Sequence, residues 1–180
     1  MKFSQTLYKY YKKRIFCGSH KPHKVPLKKI YEYFIIIPAY AERLYLERTL
    51  SSINHQHKTL LDKTLVVIVI NNSRDDTEIV KKNNYDTYHK ILQFNYSFEF
   101  IVIDCFSNNY AFPEKTAGVG LARKIGMDYC IEFSKSDSLF FSLDADTLID
   151  KNLEAGLYNT IWNGFDQNGS AVASGIYFMQ

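Results

Sequence analysis

The chain has 180 residues, a formal net charge of +3 and 46% hydrophobic residues, a composition typical of a globular domain with its own core. No apolar run approaches the ~20 residues that a membrane-spanning helix requires, and the start of the chain has no apolar segment of the kind found in signal peptides. Three widely spaced cysteines, Cys17, Cys105 and Cys130, match neither a zinc site nor a disulfide framework, so we expect a cytoplasmic protein.

The charge is unevenly distributed along the chain. Residues 1–30 contain nine Lys or Arg and no acid, whereas the remainder contains thirteen Lys or Arg and all nineteen acids. We therefore predict a basic extension and linker over 1–30, with a linker at His20–Pro26, followed by one domain over 31–180. The extension is either solvated or, through its interspersed aromatic residues, in contact with the inner face of a membrane. Nucleic acid is not an expected partner.

Four continuous apolar runs predict buried strands. Because the runs do not alternate with polar residues, they are typical of a parallel sheet that is covered on both faces. A further apolar segment near the end of the chain predicts one more strand. The four runs are Tyr33–Ile37, Leu65–Ile70, Phe100–Ile103 and Leu139–Leu143, and the later segment is Ala171–Phe178.

Helical patterns lie between these runs. Leu46, Leu50 and Ile53 recur at helical spacing, a helix starts near Asp75-Asp76, and an apolar stripe extends from Val119 to Phe133. The alternation of strand and helix predicts an α/β fold, namely a doubly wound and mostly parallel sheet with helices on both faces. Ligands of such sheets bind at the carboxyl ends of the strands.

The strongest local feature at a strand end is Asp144-Ala145-Asp146. In an extended backbone the side chains of residues i and i+2 point to the same side, so both carboxylates can address one ion or ligand. Carboxylate oxygens suit Mg²⁺ or Mn²⁺. The alternative is that both residues only form a turn or cap a helix.

Two further segments carry polar groups toward the same edge. Asn71–Thr77 is a polar turn that leads into a helix, where side chains and free N–H groups either bind a base or ribose or simply cap the helix. Gly118-Val119-Gly120, followed by Arg123 and Lys124, resembles a phosphate-binding helix start. The alternative for these glycines is close helix packing.

Taken in order, four segments resemble family 2 glycosyltransferases of the GT-A fold. Residues 34–53 resemble the opening strand, the P-x-Y-N-E turn and the first helix of that family, and residues 66–77 resemble its second strand and turn. Residues 117–130 resemble the G-x-x-x-A-R-N-x-G helix, and residues 139–150 resemble the strand that carries the D-x-D motif.

The resemblance implies roles for nine residues around a nucleotide-sugar donor and a Mn²⁺ or Mg²⁺ ion. Asp144 and Asp146 would hold the ribose and the metal-bound diphosphate, with Asp146 in direct contact with the metal. The other seven would surround the nucleotide: Pro38, Ala39, Tyr40 and Glu42 at the border of the pocket, Asn71 and Asp75 near the base and ribose, and Arg123 shaping the donor site.

The chain departs from the family pattern at several points. Ala41 and Lys124 replace residues that are usually Asn, and Ile70-Asn71 replaces one or two carboxylates. The general base of the family lies well downstream of the D-x-D motif, but after Glu154 the only acid is Asp166, in a Gly/Asn-rich segment. The catalytic base is therefore not identified, and the sequence reads as a donor half without its acceptor half.

The resemblance implies metal-dependent transfer of a sugar from a UDP- or GDP-linked donor to an unknown acceptor, with inversion of configuration. The alternative is a catalytically inactive nucleotide-sugar-binding module, or a fragment that lacks the acceptor half. A nucleotidyltransferase is disfavoured because that class has a Gly-rich, basic loop directly after the first strand, and residues 38–43, PAYAER, are not of that kind.

Overall fold

The structure, a computed structural model, describes residues 9–10 and 20–151, so the predicted strand Ala171–Phe178 and Asp166 lie outside the described residues. Among these described residues, four strands form one sheet in the order β3-β2-β1-β4, and every neighbouring pair is parallel. The predicted α/β class is confirmed. The strands are β1 (Tyr33–Ala39), β2 (Thr64–Asn71), β3 (Glu99–Cys105) and β4 (Leu139–Ser142).

Within residues 20–151, four helices connect the strands, together with two short 3-10 turns. The helix after β2 begins beyond Thr77, whose Oγ1 accepts a long hydrogen bond of 3.5 Å from the N–H of Val80. None of the described helices combines the length and the apolar character needed to cross a bilayer. The helices are α1 (Leu46–Asn54), α2 (Lys58–Leu61), α3 (Glu78–Ile91) and α4 (Val119–Cys130); the 3-10 turns are Glu114–Thr116 and Ile131–Phe133.

The helices cover the sheet from two sides. All eight residues of β2 are buried, and alternate residues along it belong to two different hydrophobic clusters. One cluster contains Val66 and Ile68 with side chains of α1 and α3, and the other contains Val67 and Val69 with side chains of α4. Since successive strand residues point to opposite faces, α1 and α3 lie on one face and α4 lies on the other.

Helix α4 approaches the sheet closely at Gly126. A Cβ at this position would lie 2.6 Å from Cγ2 of Ile36 and 3.1 Å from Cγ2 of Val69. The absent side chain therefore lets the helix backbone settle onto β1 and β2. This close packing fixes the position of the helix start, which borders the cavity described below.

The outer side of β3 is covered by residues 20–28, which we call the edge segment. Pro22 and Ile103 form an antiparallel bridge, and the N–H of His23 donates to the carbonyl of Val102 at 2.9 Å. The N–H of Val102 donates in return to Nδ1 of His23 at 2.8 Å. The segment predicted as a linker therefore satisfies backbone groups of an edge strand.

The prediction that β4 is a buried strand is wrong. Leu139, Phe140 and Phe141 are 52%, 36% and 49% exposed. The reason is position, because β4 is the last strand of the order and pairs with β1 alone among the described residues. An apolar run by itself does not distinguish a central strand from an edge strand.

Candidate functional site

A cavity of about 580 Å³ opens at the carboxyl edge of the sheet. It lies where β1 is flanked by β2 on one side and by β4 on the other, the point at which the chain reverses its direction across the sheet. Open α/β sheets bind ligands at this point. The residues that line it are Pro38, Tyr40, Glu42, Asn71, Asn72, Ser73, Asp76, Ala117, Gly118, Val119, Asp144, Ala145 and Asp146.

Six of the nine residues predicted for the site line this cavity: Pro38, Tyr40, Glu42, Asn71, Asp144 and Asp146. They come from the ends of three strands that are far apart in sequence. Sequence order alone does not bring these strands together; the parallel pairing of β1 with both β2 and β4 does.

The other three predicted residues do not line the cavity. The side chain of Ala39 is buried in the hydrophobic cluster beneath it, because it occupies an inward position of β1. Asp75 is exposed on the turn, and its neighbour Asp76 lines the cavity instead. Arg123 contacts Asp144, which does line the cavity, since its Nη2 lies 2.5 Å from Oδ1 of Asp144.

The wall after β1 is a tight turn held from the side of α3. Ala41 has φ of 56°, a left-handed conformation that is uncommon for a residue with a Cβ. Its N–H donates to Oδ1 of Asn84 at 2.9 Å. Beside it, the hydroxyl of Tyr40 donates to Oδ1 of Asp76 at 3.0 Å, so the turn after β1 and the turn after β2 are tied together.

Asn84, which is not among the residues predicted for the site, joins both walls of the cavity. It is 1% exposed, and its Nδ2 donates to the carbonyl of Asn71 at 3.0 Å and to Oδ1 of Asn72 at 2.9 Å. Its Oδ1 meanwhile accepts from Ala41. In sequence, Asn84 is one more polar residue in a polar helix, and no pattern separates it from the solvent-facing ones.

Asn71 presents an acceptor to the cavity. Its Nδ2 donates to the carbonyls of Ala39 at 3.1 Å and Val69 at 3.2 Å. Because carbonyl oxygens can only accept, these two partners fix the orientation of the amide. No group of the described residues donates to Oδ1 of Asn71, so this oxygen is the part of the side chain left for a ligand. The amide thus offers an uncharged acceptor to the cavity.

The Asp144-Ala145-Asp146 segment is a turn and not the extended backbone that we expected. The N–H of Thr147 donates to the carbonyl of Asp144 at 3.1 Å. Ala145 is buried, and its carbonyl accepts from the hydroxyl of Thr49 at 2.7 Å. This anchoring on α1 leaves the carboxylates of Asp144 and Asp146 both exposed at the cavity.

The cavity is acidic. Its lining contains four carboxylates, from Glu42, Asp76, Asp144 and Asp146, and no Lys, Arg or His. Partial burial, followed by repulsion from Asp146 and Asp144, raises the pKa of Glu42. Asp144 and Asp146 are therefore close enough to disfavour the negative charge of Glu42.

The third wall is the start of α4. Ala117, Gly118 and Val119 line the cavity, and Gly118 has φ of 150°, a conformation that favours glycine. Lys124, in contrast, does not face the cavity. Its Nζ lies 2.5 Å from Oδ2 of Asp128 and donates to the hydroxyl of Tyr10 at 2.9 Å. The predicted pairing of the glycines with this lysine around a phosphate is therefore not present.

The donor set fits a hard divalent cation that a ligand helps to hold. Among the residues that the structure describes, no three His, Cys, Asp or Glu side chains form a group able to hold a metal by themselves. Mg²⁺, however, is usually bound by one or two carboxylates together with phosphate oxygens and water. Asp144 and Asp146 offer exposed carboxylate oxygens at the cavity, beside Glu42, whose negative charge is already disfavoured.

Comparisons of this chain with protein-family models, with curated proteins and with solved structures gave no match.

Proposed function

We propose that this chain is the donor-binding half of a metal-dependent glycosyltransferase, with a doubly wound arrangement of the GT-A type. The observation that carries the proposal is that Tyr40, Asn71, Asp144 and Asp146, from three strand ends, line one common cavity. The strand order and the helices on both faces support this arrangement.

The cavity suits a ligand with a polar ring and a diphosphate. Tyr40 is 46% exposed and offers a ring face, while Oδ1 of Asn71 accepts from an N–H group of a base. The start of α4 offers backbone N–H groups to an anion. A nucleotide-diphosphate sugar, UDP- or GDP-linked, combines these features.

A diphosphate needs a counter-charge in this cavity, since four carboxylates and no cationic side chain line it. In the proposal, Asp146 contacts a Mn²⁺ or Mg²⁺ ion and Asp144 supports it, while Arg123 holds Asp144 in place. When bound, the ion neutralises charge on the nucleoside diphosphate as it leaves. The resemblance to inverting enzymes favours inversion at the sugar, with the acceptor and the general base unassigned.

Thermal unfolding of the full chain with UDP, GDP and their sugars, each with and without Mn²⁺, tests the donor site. At ~100 times its Kd, a ligand stabilises the folded state by about 2.7 kcal/mol. For a chain of this size we expect a Tm increase of about 5–10 °C with one nucleotide, seen only with Mn²⁺.

Asp146→Ala should abolish this shift, whereas the matched variant Asp137→Ala should keep it. Asp137 is also exposed, but it precedes β4 at the opposite end of the strand. A cooperatively folded chain that shows no shift with any nucleotide would refute the donor site.

Binding without turnover would support the alternative of an inactive nucleotide-sugar-binding module. The release of nucleoside diphosphate from the donor that gives the largest shift distinguishes the two. Release that depends on Asp146 supports an enzyme, and binding with no release under the same conditions supports the module.

A further inference from the structure

The edge segment and the two residues after it present apolar and basic side chains together. Val25 is 74% exposed, Leu27 is 84% exposed and Ile30 is 39% exposed. Exposed lysines lie between and beside them. We call this surface the basic-apolar ridge, and it consists of Lys24, Val25, Leu27, Lys28, Lys29 and Ile30.

The ridge is held on the body of the protein. His23 forms hydrogen bonds with both the carbonyl and the N–H of Val102. Pro26 is buried, and the N–H of Leu27 donates to the carboxylate of Glu99. The N–H of Lys28 also donates to the hydroxyl of Tyr31 at 2.9 Å. The exposed side chains therefore project from a backbone that is already ordered, so docking adds no backbone ordering cost. Nζ of Lys28 donates to the carbonyl of Asp62, and Nζ of Lys24 lies 5.0 Å from the ring centroid of Phe100, so these two lysines give up those contacts when they face a partner.

A second cavity, of about 570 Å³, lies next to the ridge. Lys24, Leu27 and Lys28 form one side of it, and the aromatic side chains of residues 94–100 form much of the other. Phe94 there is 37% exposed. The exposed apolar area thus continues from the ridge into the second cavity. Asp62, which also lines this cavity, is an exposed acid.

We propose that the basic-apolar ridge docks on an anionic phospholipid surface, with Val25 and Leu27 entering the headgroup boundary and Lys24, Lys28 and Lys29 facing the lipid phosphates. Charge complementarity supports this partner, because residues 1–30 contain nine basic residues and no acid. The interleaved exposed apolar side chains favour lipid over nucleic acid, whose phosphates offer them nothing to bury against.

The docked orientation follows from the path of the edge segment. The segment runs antiparallel to β3, with His20 near the carbonyl of Asp104 and Leu27 at Glu99. The ridge therefore lies at the amino end of β3, whereas the acidic cavity lies at the carboxyl edge of the sheet. Seven strand residues separate these ends by about 20 Å, so docking leaves the cavity open to water.

Flotation of the full chain with vesicles tests the docking, and its result does not depend on the proposed glycosyltransferase function. We expect binding to vesicles of equimolar phosphatidylserine and phosphatidylcholine, and little binding to phosphatidylcholine alone. The triple variant Lys24→Gln, Lys28→Gln, Lys29→Gln should bind about 100-fold more weakly, at about fivefold for each lysine. The double variant Val25→Ser, Leu27→Ser should bind at least about tenfold more weakly.

Matched control variants test whether vesicle binding depends on the ridge itself and not on the total charge or total exposed apolar surface of the protein. Lys58→Gln, Lys82→Gln, Lys115→Gln removes three exposed lysines elsewhere, and Leu44→Ser removes an apolar side chain that is 76% exposed. Both should bind like the wild type. Equal binding of ridge and control variants would overturn the proposal. Binding to a short single-stranded RNA that weakens in the lysine variant, with no effect of Val25→Ser, Leu27→Ser on either ligand, would also overturn it.

Discussion

The two edges of the sheet differ in whether another segment of the described chain covers them. β3 is covered by the edge segment, which returns hydrogen bonds to Val102 and stacks His23 on Phe100 at a ring distance of 5.7 Å. β4 pairs only with β1 among the described residues, and its apolar side chains are exposed. The covered edge contributes stability, whereas the open edge carries the aspartates of the candidate site. The stabilising contacts described here therefore lie at the β3 edge of the sheet, and the aspartates of the candidate site follow the strand at the β4 edge.

The largest expected difference between the edges comes from a matched pair of aromatic truncations. Phe100→Ala on β3 should lower the free energy of unfolding by about 3–5 kcal/mol, because the ring is buried and packs against His23 and Tyr96. Phe140→Ala on β4 should cost only about 1–2 kcal/mol, since the ring is partly exposed and mainly loses its stacking on Phe34. Urea unfolding of both variants measures the difference. Equal costs would mean that β4 is covered as well as β3.

Removing His23 should open the covered edge at an intermediate cost. His23→Ala loses the acceptor for the N–H of Val102 and the stacking on Phe100, and should destabilise the protein by about 1–2 kcal/mol. The amide of Val102 should then exchange its hydrogen faster. His23→Asn, which keeps a side-chain acceptor near the same position, should protect this amide better than His23→Ala.

The same histidine predicts a dependence on pH. Burial, and then the charge of Lys24, lower the pKa of His23 from 6.5, and only its neutral form accepts from Val102. The contribution of His23 to the free energy of unfolding is therefore present above pH 6.5. It is lost as the pH falls through the lowered pKa that His23 has in the folded state. Unfolding measured from pH 7.5 down to pH 5 should show this loss in the wild type and not in His23→Asn. Parallel curves for the two proteins would contradict the role of His23.

The smallest expected effect is a gain of stability when Glu42, at the acidic cavity, loses its charge. Because the pKa of Glu42 is raised in the folded state, its contribution to the free energy of unfolding is present below pH 4.5. This contribution is lost as the pH rises through the pKa of the folded state. At pH 7, Glu42→Gln should therefore raise the free energy of unfolding by about 0.3–0.5 kcal/mol, a value reduced by solvent screening. Near pH 4 the gain should vanish. Destabilisation by Glu42→Gln at pH 7 would show that a stabilising contact, not repulsion, dominates there.

Much of the fold was predictable because it depends on local pattern. Continuous runs of Ile and Val define β1, β2 and β3, and helical spacing defines α1 and α4. The exposure of β4 was not predictable, because an apolar run has the same appearance at the centre and at the edge of a sheet. The role of residues 20–28 was missed for a related reason, since two prolines and several lysines resemble a free linker until β3 lies beside them.

The candidate site was predictable where residues follow directly from strand ends, as with Tyr40, Asn71 and Asp146. It was not predictable where a contact joins distant segments. Asn84 is a helix residue without a pattern, Asp76 rather than Asp75 faces the cavity, and Arg123 reaches it only through Asp144. One-residue differences of this kind depend on the rotation of a turn, which local propensity does not set.

The sequence alone determined the class of fold, the order of strands and helices along the chain, and the acids that follow β4, because hydrophobic periodicity and turn chemistry are local properties. Only the tertiary structure decided which strands are neighbours and which edge is covered. It also decided that Asn84 and Asn71 hold their amides in fixed orientations. These features depend on hydrogen bonds and packing between segments that are far apart along the chain, and burial makes each of them specific.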